Sequence, residues 1–153
     1  MTTTLFEDIE REAVVREALT WERTPYQNCG DRKGVGIDCG MILIRAWADI
    51  GLIEPFDPRP YPRDFHLHRA EEVYLGIVNR FAAEIPEEQL KLGDIIMFKF
   101  GRCFSHGSIY LGNEEIIHAF VKDGMCTRAR IDQTEFKDRP RRFFSFWAKD
   151  HGA

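Results

Sequence analysis

From Cys39 onward, apolar side chains fall at Cys39, Ile42, Leu43, Ala46, Trp47 and Ile50. This is the i, i+3, i+4, i+7, i+8 stripe of a helix with one buried face. Asp38 stands before the stripe as an N-cap, and Gly51 follows it as a C′ residue. Residues 5 to about 21 repeat the pattern with Phe6, Ile9, Ala13, Val14, Ala18 and Trp21 on one broad face. Thr4 and Glu7 give a capping-box signature there, and Pro25 ends the element. Ala70, Val73, Tyr74, Ile77, Val78 and Phe81 predict a third amphipathic helix that stops before Pro86. The period then changes to short strands separated by tight-turn signals. These are Ile95–Phe100, Ser105–Leu111, Glu115–Val121, Met125–Ile131 and Arg142–Trp147, with turns at Gly112-Asn113 and Asp123-Gly124. Helices first and an antiparallel meander second predict an α+β fold, with the Cys39 helix packed on a roughly five-stranded sheet.

The connections between elements narrow the possibilities. Thr24-Pro25-Tyr26 opens a loop containing Gly30, Gly34 and Gly36, but its spacing matches no phosphate-cradling motif. Glu54 to His68 carries Pro55, Pro58, Pro60 and Pro62, so it predicts an ordered connection that lines a site or covers a surface. His66-Leu67-His68 has no third ligand nearby and reads as exposed loop histidines. The 153 residues suit one domain, 1–153, and the 12 phenylalanines supply much of its packing volume. A net charge of -4 without a basic block argues against nucleic-acid and anionic-membrane partners. No stretch approaches the roughly 20 apolar residues of a membrane-spanning helix. The acidic start, Met-Thr-Thr-Thr-Leu-Phe-Glu-Asp, is no signal peptide, so synthesis in the cytoplasm without general secretory export is expected. Cys29, Cys39, Cys103 and Cys126 form no C-x-x-C pair and read as free thiols. No metal or organic cofactor is expected.

Candidate chemistry centres on Cys39. A thiol in a first helical turn sits beside unpaired N–H groups and the positive end of the helix dipole, which predicts a lowered pKa. Cys39 reads either as such a nucleophile or as a small buried apolar residue. A nucleophile needs a base and the base an orienting group. His106 and His118, twelve residues apart around the Gly112-Asn113 turn, come opposite or nearly opposite each other in a hairpin. They read as a proton-sharing pair or as two unrelated sheet histidines. Cys103 is the rival nucleophile, in an apparent loop with no helix start to activate it.

Four motifs occur in order: Asp38-Cys39-Gly40 opening an apolar helix, Gly93-Asp94-Ile95 opening a strand, His106-Gly107-Ser108-Ile109-Tyr110-Leu111-Gly112, and Ile117-His118-Ala119. Together they resemble the NlpC-type cell-wall peptidases, cousins of the papain-like cysteine peptidases. Thr24-Pro25-Tyr26, Lys33-Gly34-Val35-Gly36, Tyr61-Pro62-Arg63-Asp64-Phe65 and the Phe-rich last strand are similar to the phage-encoded branch. The resemblance implies Cys39 as nucleophile, His106 as general base and acid, His118 as orienting residue, and Tyr26 with the Cys39 N–H at the oxyanion. It implies Asp38, Gly40 and Ser105 on the substrate side, with Asp38 helping to hold the free amino group of a peptidoglycan stem peptide. Many relatives carry serine where this chain has Gly40, and Ser108 replaces an apolar strand residue. The implied partners are the stem peptide and either phage tail proteins or an immunity protein. A non-catalytic tail subunit that retains the fold is the alternative.

Overall fold

A computed structural model describes residues 5–61 and 68–152 of the chain. Thr4 of the capping box, Pro62–Phe65 of the aromatic segment, His66, Leu67 and the His68 side chain lie outside the described residues. Three helices, α1 (Leu5–Leu19), α2 (Met41–Ala48) and α3 (His68–Asn79), precede or flank the strands. A two-stranded hairpin, β1 (Asp31–Arg32) and β2 (Gly36–Ile37), lies within the glycine-rich loop. The main sheet holds β3 (Ala83–Ile85), β4 (Ile95–Phe100), β5 (Cys103–Gly112), β6 (Glu115–Phe120), β7 (Met125–Arg130) and β8 (Arg141–Ser145). Its order is β3-β8-β4-β5-β6-β7, and every pairing is antiparallel.

The expected α+β architecture is present, with six main strands rather than five. The meander holds only from β4 to β7, because β8 returns to the other side of β4 and carries β3 at its edge. Along β4 the side chains alternate. Ile95 and Met97 join a core with Val14, Leu43, Trp47, Tyr74 and Val78 beneath the helices. Ile96 and Phe98 join Ile116, Phe120, Phe136 and Phe143 on the far face. Both faces are therefore covered, the far one by the segment that carries Ile131 and Phe136.

Helix α1 corrects one expectation. Phe6 is 79% and Ile9 56% exposed, while Arg11, Val14, Ala18 and Trp21 are buried. The helix is rotated because Arg11 reaches Asp94 Oδ1 at 2.8 Å and the Leu92 carbonyl at 3.0 Å, and lies 4.2 Å over the Trp147 ring. A buried carboxylate left without that cation would cost several kcal/mol. This long-range pair outweighs the gain from covering two more apolar residues.

Candidate active site

Asp38 organises the start of α2. Its Oδ1 accepts the Gly40 and Met41 N–H groups at 3.1 and 2.8 Å, and its carbonyl accepts the Ile42 N–H at 3.2 Å. The helical turn thus reaches back to Cys39, as the capping pattern predicts. Oδ2 is filled as well, by the Cys29 N–H at 2.7 Å and by the Tyr61 hydroxyl at the end of the described proline-rich connection. Burial lifts the Asp38 carboxyl above the usual range, and these four donors oppose the shift. Each Asp38 oxygen thus already holds two donors in this state. At the other end of α2, Gly51 has φ +80°, its N–H bonds to Ala48 O at 3.1 Å, and Leu52 N–H reaches back to Trp47 O at 3.0 Å. Those are the two bonds of a Schellman close.

Gly40 is not imposed by geometry. Its φ of -84° suits any residue. An added Cβ would meet Tyr61 Oη at 3.4 Å and Ile77 Cδ1 at 3.6 Å, which is ordinary contact.

Cys39 is 3% exposed. Burial and then the Asp38 carboxylate push it up to about 12, against the opposing donors of Tyr74, Gly107 N–H and its own N–H. This reverses the lowered pKa expected from a helix start. The dipole of one turn is worth at most about 2 kcal/mol, whereas removing a thiolate from water costs more. Tyr74 arrives from α3. Its hydroxyl donates to the Cys39 carbonyl and accepts the Gly107 N–H at 3.1 Å.

Gly107 directly follows His106, and its N–H faces the Cys39 sulfur. No hydrogen bond joins the Cys39 thiol to the His106 ring among the described residues. His106 Nε2 and His118 Nδ1 lie 2.7 Å apart. With Ile109 opposite Ile117, His118 stands across from Ser108, so His106 is its diagonal neighbour on one face. The spacing placed both histidines in one hairpin, but their common face depends on the register shift between Tyr110 and Gly112, which the sequence did not announce.

Immediately before His106 the ladder slips: Phe98 faces His106 while Lys99 faces Phe104, which leaves Ser105 as a bulge residue. Bulges beside active sites re-aim the side chains that follow. Phe100, Phe120 and Phe136 surround the two imidazoles, with ring centroids 5.0–6.3 Å from His106. Burial lowers His118 to about 4. It lowers His106 well below its ordinary value, with the charges of His118 and Arg139 adding to the effect. Both rings are neutral at pH 7. Among the described residues His118 Nε2, fully buried, makes no hydrogen bond, and the carboxylate paired with it is Asp123, whose Oδ2 lies at 3.9 Å.

The remaining expected residues lie as follows. Tyr26 pairs its backbone with Ile37, one residue before Asp38, and packs partly buried against the helix-side core. Ser105 is buried at the bulge. Cys103 opens β5 rather than standing in a loop, and burial and then the Glu71 carboxylate raise its thiol pKa. Cys126 is buried in the helix-side core, and Cys29 lends its N–H to Asp38. Tyr61, Tyr74, the Gly107 N–H and Asp123 are contacts the sequence did not disclose. Only Tyr61 carried a signal, as the last described residue of a connection expected to line a site. No cluster of three or more metal-ligating side chains occurs among the described residues.

The model of the NlpC/P60 family matches residues 23–143. Murein DD-endopeptidase MepS/murein LD-carboxypeptidase of Escherichia coli is 25% identical over 125 residues, covering 78% of this chain and 57% of that protein. The chain thus spans little more than half of that relative. The peptidoglycan hydrolase RipB of Mycobacterium tuberculosis superposes with a TM-score of 0.62 at 20% identity, covering 91% of this chain and 65% of that one. RipD of the same organism, described as a non-catalytic NlpC/p60 domain protein adapted to peptidoglycan binding, superposes with a TM-score of 0.58 at 13% identity. That match covers 89% of this chain and 96% of the RipD chain. At these identities the structural likenesses establish the fold.

Proposed function

The chain belongs to the NlpC/P60 family, and we propose that it is a cysteine peptidase that hydrolyses peptidoglycan stem peptides through a thioester. The observation that carries this reading is the buried His106–His118 contact at 2.7 Å, on the strand whose next N–H faces the Cys39 sulfur. With the thiol at about 12 and the imidazoles neutral, the resting pair is uncharged. The Cys39 proton therefore passes to His106 as sulfur attacks the substrate carbonyl. The oxyanion forms beside the Cys39 N–H, which has no backbone acceptor among the described residues. Tyr26 completes the hole on the resemblance alone. As the carbonyl reforms, the C–N bond breaks and His106 gives its proton to the leaving amine. Water, deprotonated by His106, then cleaves the thioester and returns the thiol.

Alanine at Cys39 or at His106 should abolish muropeptide cleavage while leaving the circular-dichroism melt intact, and full activity in either variant refutes the mechanism. The motifs shared with the phage-encoded branch support a tail-associated hydrolase, with delivery as an effector toxin the competing setting. Gene neighbours, tail proteins or an immunity protein, separate these two.

A second reading is a non-catalytic subunit that keeps the fold. The specific observation in its favour is that Tyr61 occupies Asp38 while Cys39 is 3% exposed. Wild-type protein that binds peptidoglycan sacculi without releasing peptides would establish it.

A further inference from the structure

The heavy atoms of the histidine pair admit two proton placements. Either His106 Nε2–H donates to His118 Nδ1, or His118 Nδ1–H donates to His106 Nε2. The choice decides the chemistry. In the second case a neutral His118 has a bare lone pair at Nε2, a fully buried atom that has no hydrogen-bond partner among the described residues in either case. The same lone pair would face the Asp123 carboxylate at 3.9 Å, a repulsive pairing. In the first case Nε2 carries a proton, and its positive edge faces that carboxylate.

We infer that Asp123 is a positioning residue for the histidine pair: its carboxylate holds the proton of His118 on Nε2, so that His118 Nδ1 accepts from His106 and His106 keeps its Nδ1 lone pair as the base. His106 Nδ1 makes no hydrogen bond among the described residues, so that lone pair is unspent. The catalytic consequence rests on the peptidase reading; the wiring does not. When His106 takes the Cys39 proton, the new charge is shared along Nε2–H to His118 and ends against Asp123.

The surroundings single out this carboxylate. Against His118 pack the rings of Phe120 and Phe136, with His106 as the other titratable group. Against His106 pack Phe100, Phe120 and Phe136, and Arg139 supplies the one further charge felt there. Lys122, beside Asp123, is engaged with Glu135 at 2.8 Å. No other carboxylate among the described residues pairs with either imidazole. At 3.9 Å the Asp123 contact acts through charge rather than as a hydrogen bond. Asp123 is 46% side-chain exposed on the turn after β6, so it can be replaced without opening the core.

The test compares wild type with Asp123→Asn, which removes only the charge, and with Asp123→Glu as the conservative rescue. Long-range proton–nitrogen NMR spectra of nitrogen-15-labelled protein read the His118 tautomer directly. Wild type should show Nε2 protonated and Nδ1 bare. Asp123→Asn should shift the population toward Nδ1–H, and Asp123→Glu should restore it. On muropeptides, Asp123→Asn should lower kcat up to about fivefold with KM unchanged. The acid limb of its kcat/KM profile should move down by about 0.7 pH unit, the same free energy on the pH axis. An unchanged tautomer in Asp123→Asn overturns the inference whatever the activity. If wild type cleaves nothing while the tautomer responds to the charge, the inference stands and the peptidase reading falls.

Discussion

Replacing Gly107 by alanine tests the contact that ties the histidine strand to the nucleophile. A Cβ at 107 would stand 2.5 Å from Tyr74 Oη, 2.8 Å from its Cε1 and 2.9 Å from Leu43 Cδ1. Leu43 can give way by a rotamer change. Tyr74 cannot do so cheaply, because it is fully buried and its hydroxyl is fixed by the Cys39 carbonyl and the Gly107 N–H. Overpacking of this kind costs about 1–3 kcal/mol. For a domain of this size that lowers Tm by roughly 2–4 °C per kcal/mol. Tyr74→Phe removes the atom nearest the clash but strands the Cys39 carbonyl and the Gly107 N–H, again at about 1–3 kcal/mol. The two changes share one clash, so the double variant should be more stable than additivity predicts by about 1 kcal/mol. Urea denaturation of the four proteins measures this, with m-values checked for constancy. A neutral Gly107→Ala, or additivity within about 0.5 kcal/mol, would show that Tyr74 does not occupy this position.

Two further outcomes are expected. Iodoacetamide should alkylate Cys39 of the free protein on the order of a thousandfold more slowly at pH 7.5 than an ordinary cysteine, with the rate rising about tenfold per pH unit, because its thiol is pushed up to about 12; selective labelling of Cys39 near neutrality, mapped by mass spectrometry, would contradict this. His118, at about 4 when folded against 6.5 as a free side chain, binds fewer protons in the native state across that window. Its contribution to stability is therefore lost as pH falls from about 6.5 to 4, on the order of 3 kcal/mol. Asp38 and Asp94, both raised by burial, run the other way, so the comparison must be between wild type and His118→Asn. The variant should lose less stability between pH 7 and 4.5, and parallel losses would count against a buried neutral His118.

What the sequence disclosed was local. The Asp38 cap, the Gly51 close and the α2 stripe depend on residues within a few positions of each other, and all three are present. The hairpin was legible, but its two-residue turn is Asn113-Glu114, both with positive φ, one position later than expected. It is the register shift between Tyr110 and Gly112 that brings His106 and His118 onto one face. The failures were long-range. The face of α1 is set by Asp94, 83 residues from Arg11. The direction of the Cys39 shift is set by burial in the assembled core, so a helix-start argument lacked the larger effect. Nothing near Asp38 in sequence announced its contact with Tyr61, 23 residues on. The position of β8 beside β4 likewise has no local signal, and three-residue β3 is too short to show a period.

The bulge at Ser105 has a bearing on how this hairpin can change over generations. Beyond it, Lys99 and Phe100 pair with Phe104 and Cys103 around the Gly101-Arg102 tip, in a register that owes nothing to the one before it. The tip is thereby insulated: residues gained or lost there need not disturb the phase of the strand that carries His106. Loss of Ser105 alone is the opposite case. It would fuse the two registers into one regular ladder with the pairs on both sides kept, and would remove the bulge that re-aims His106. Variation in loop length is cheap at this edge, and a one-residue deletion three positions away is not.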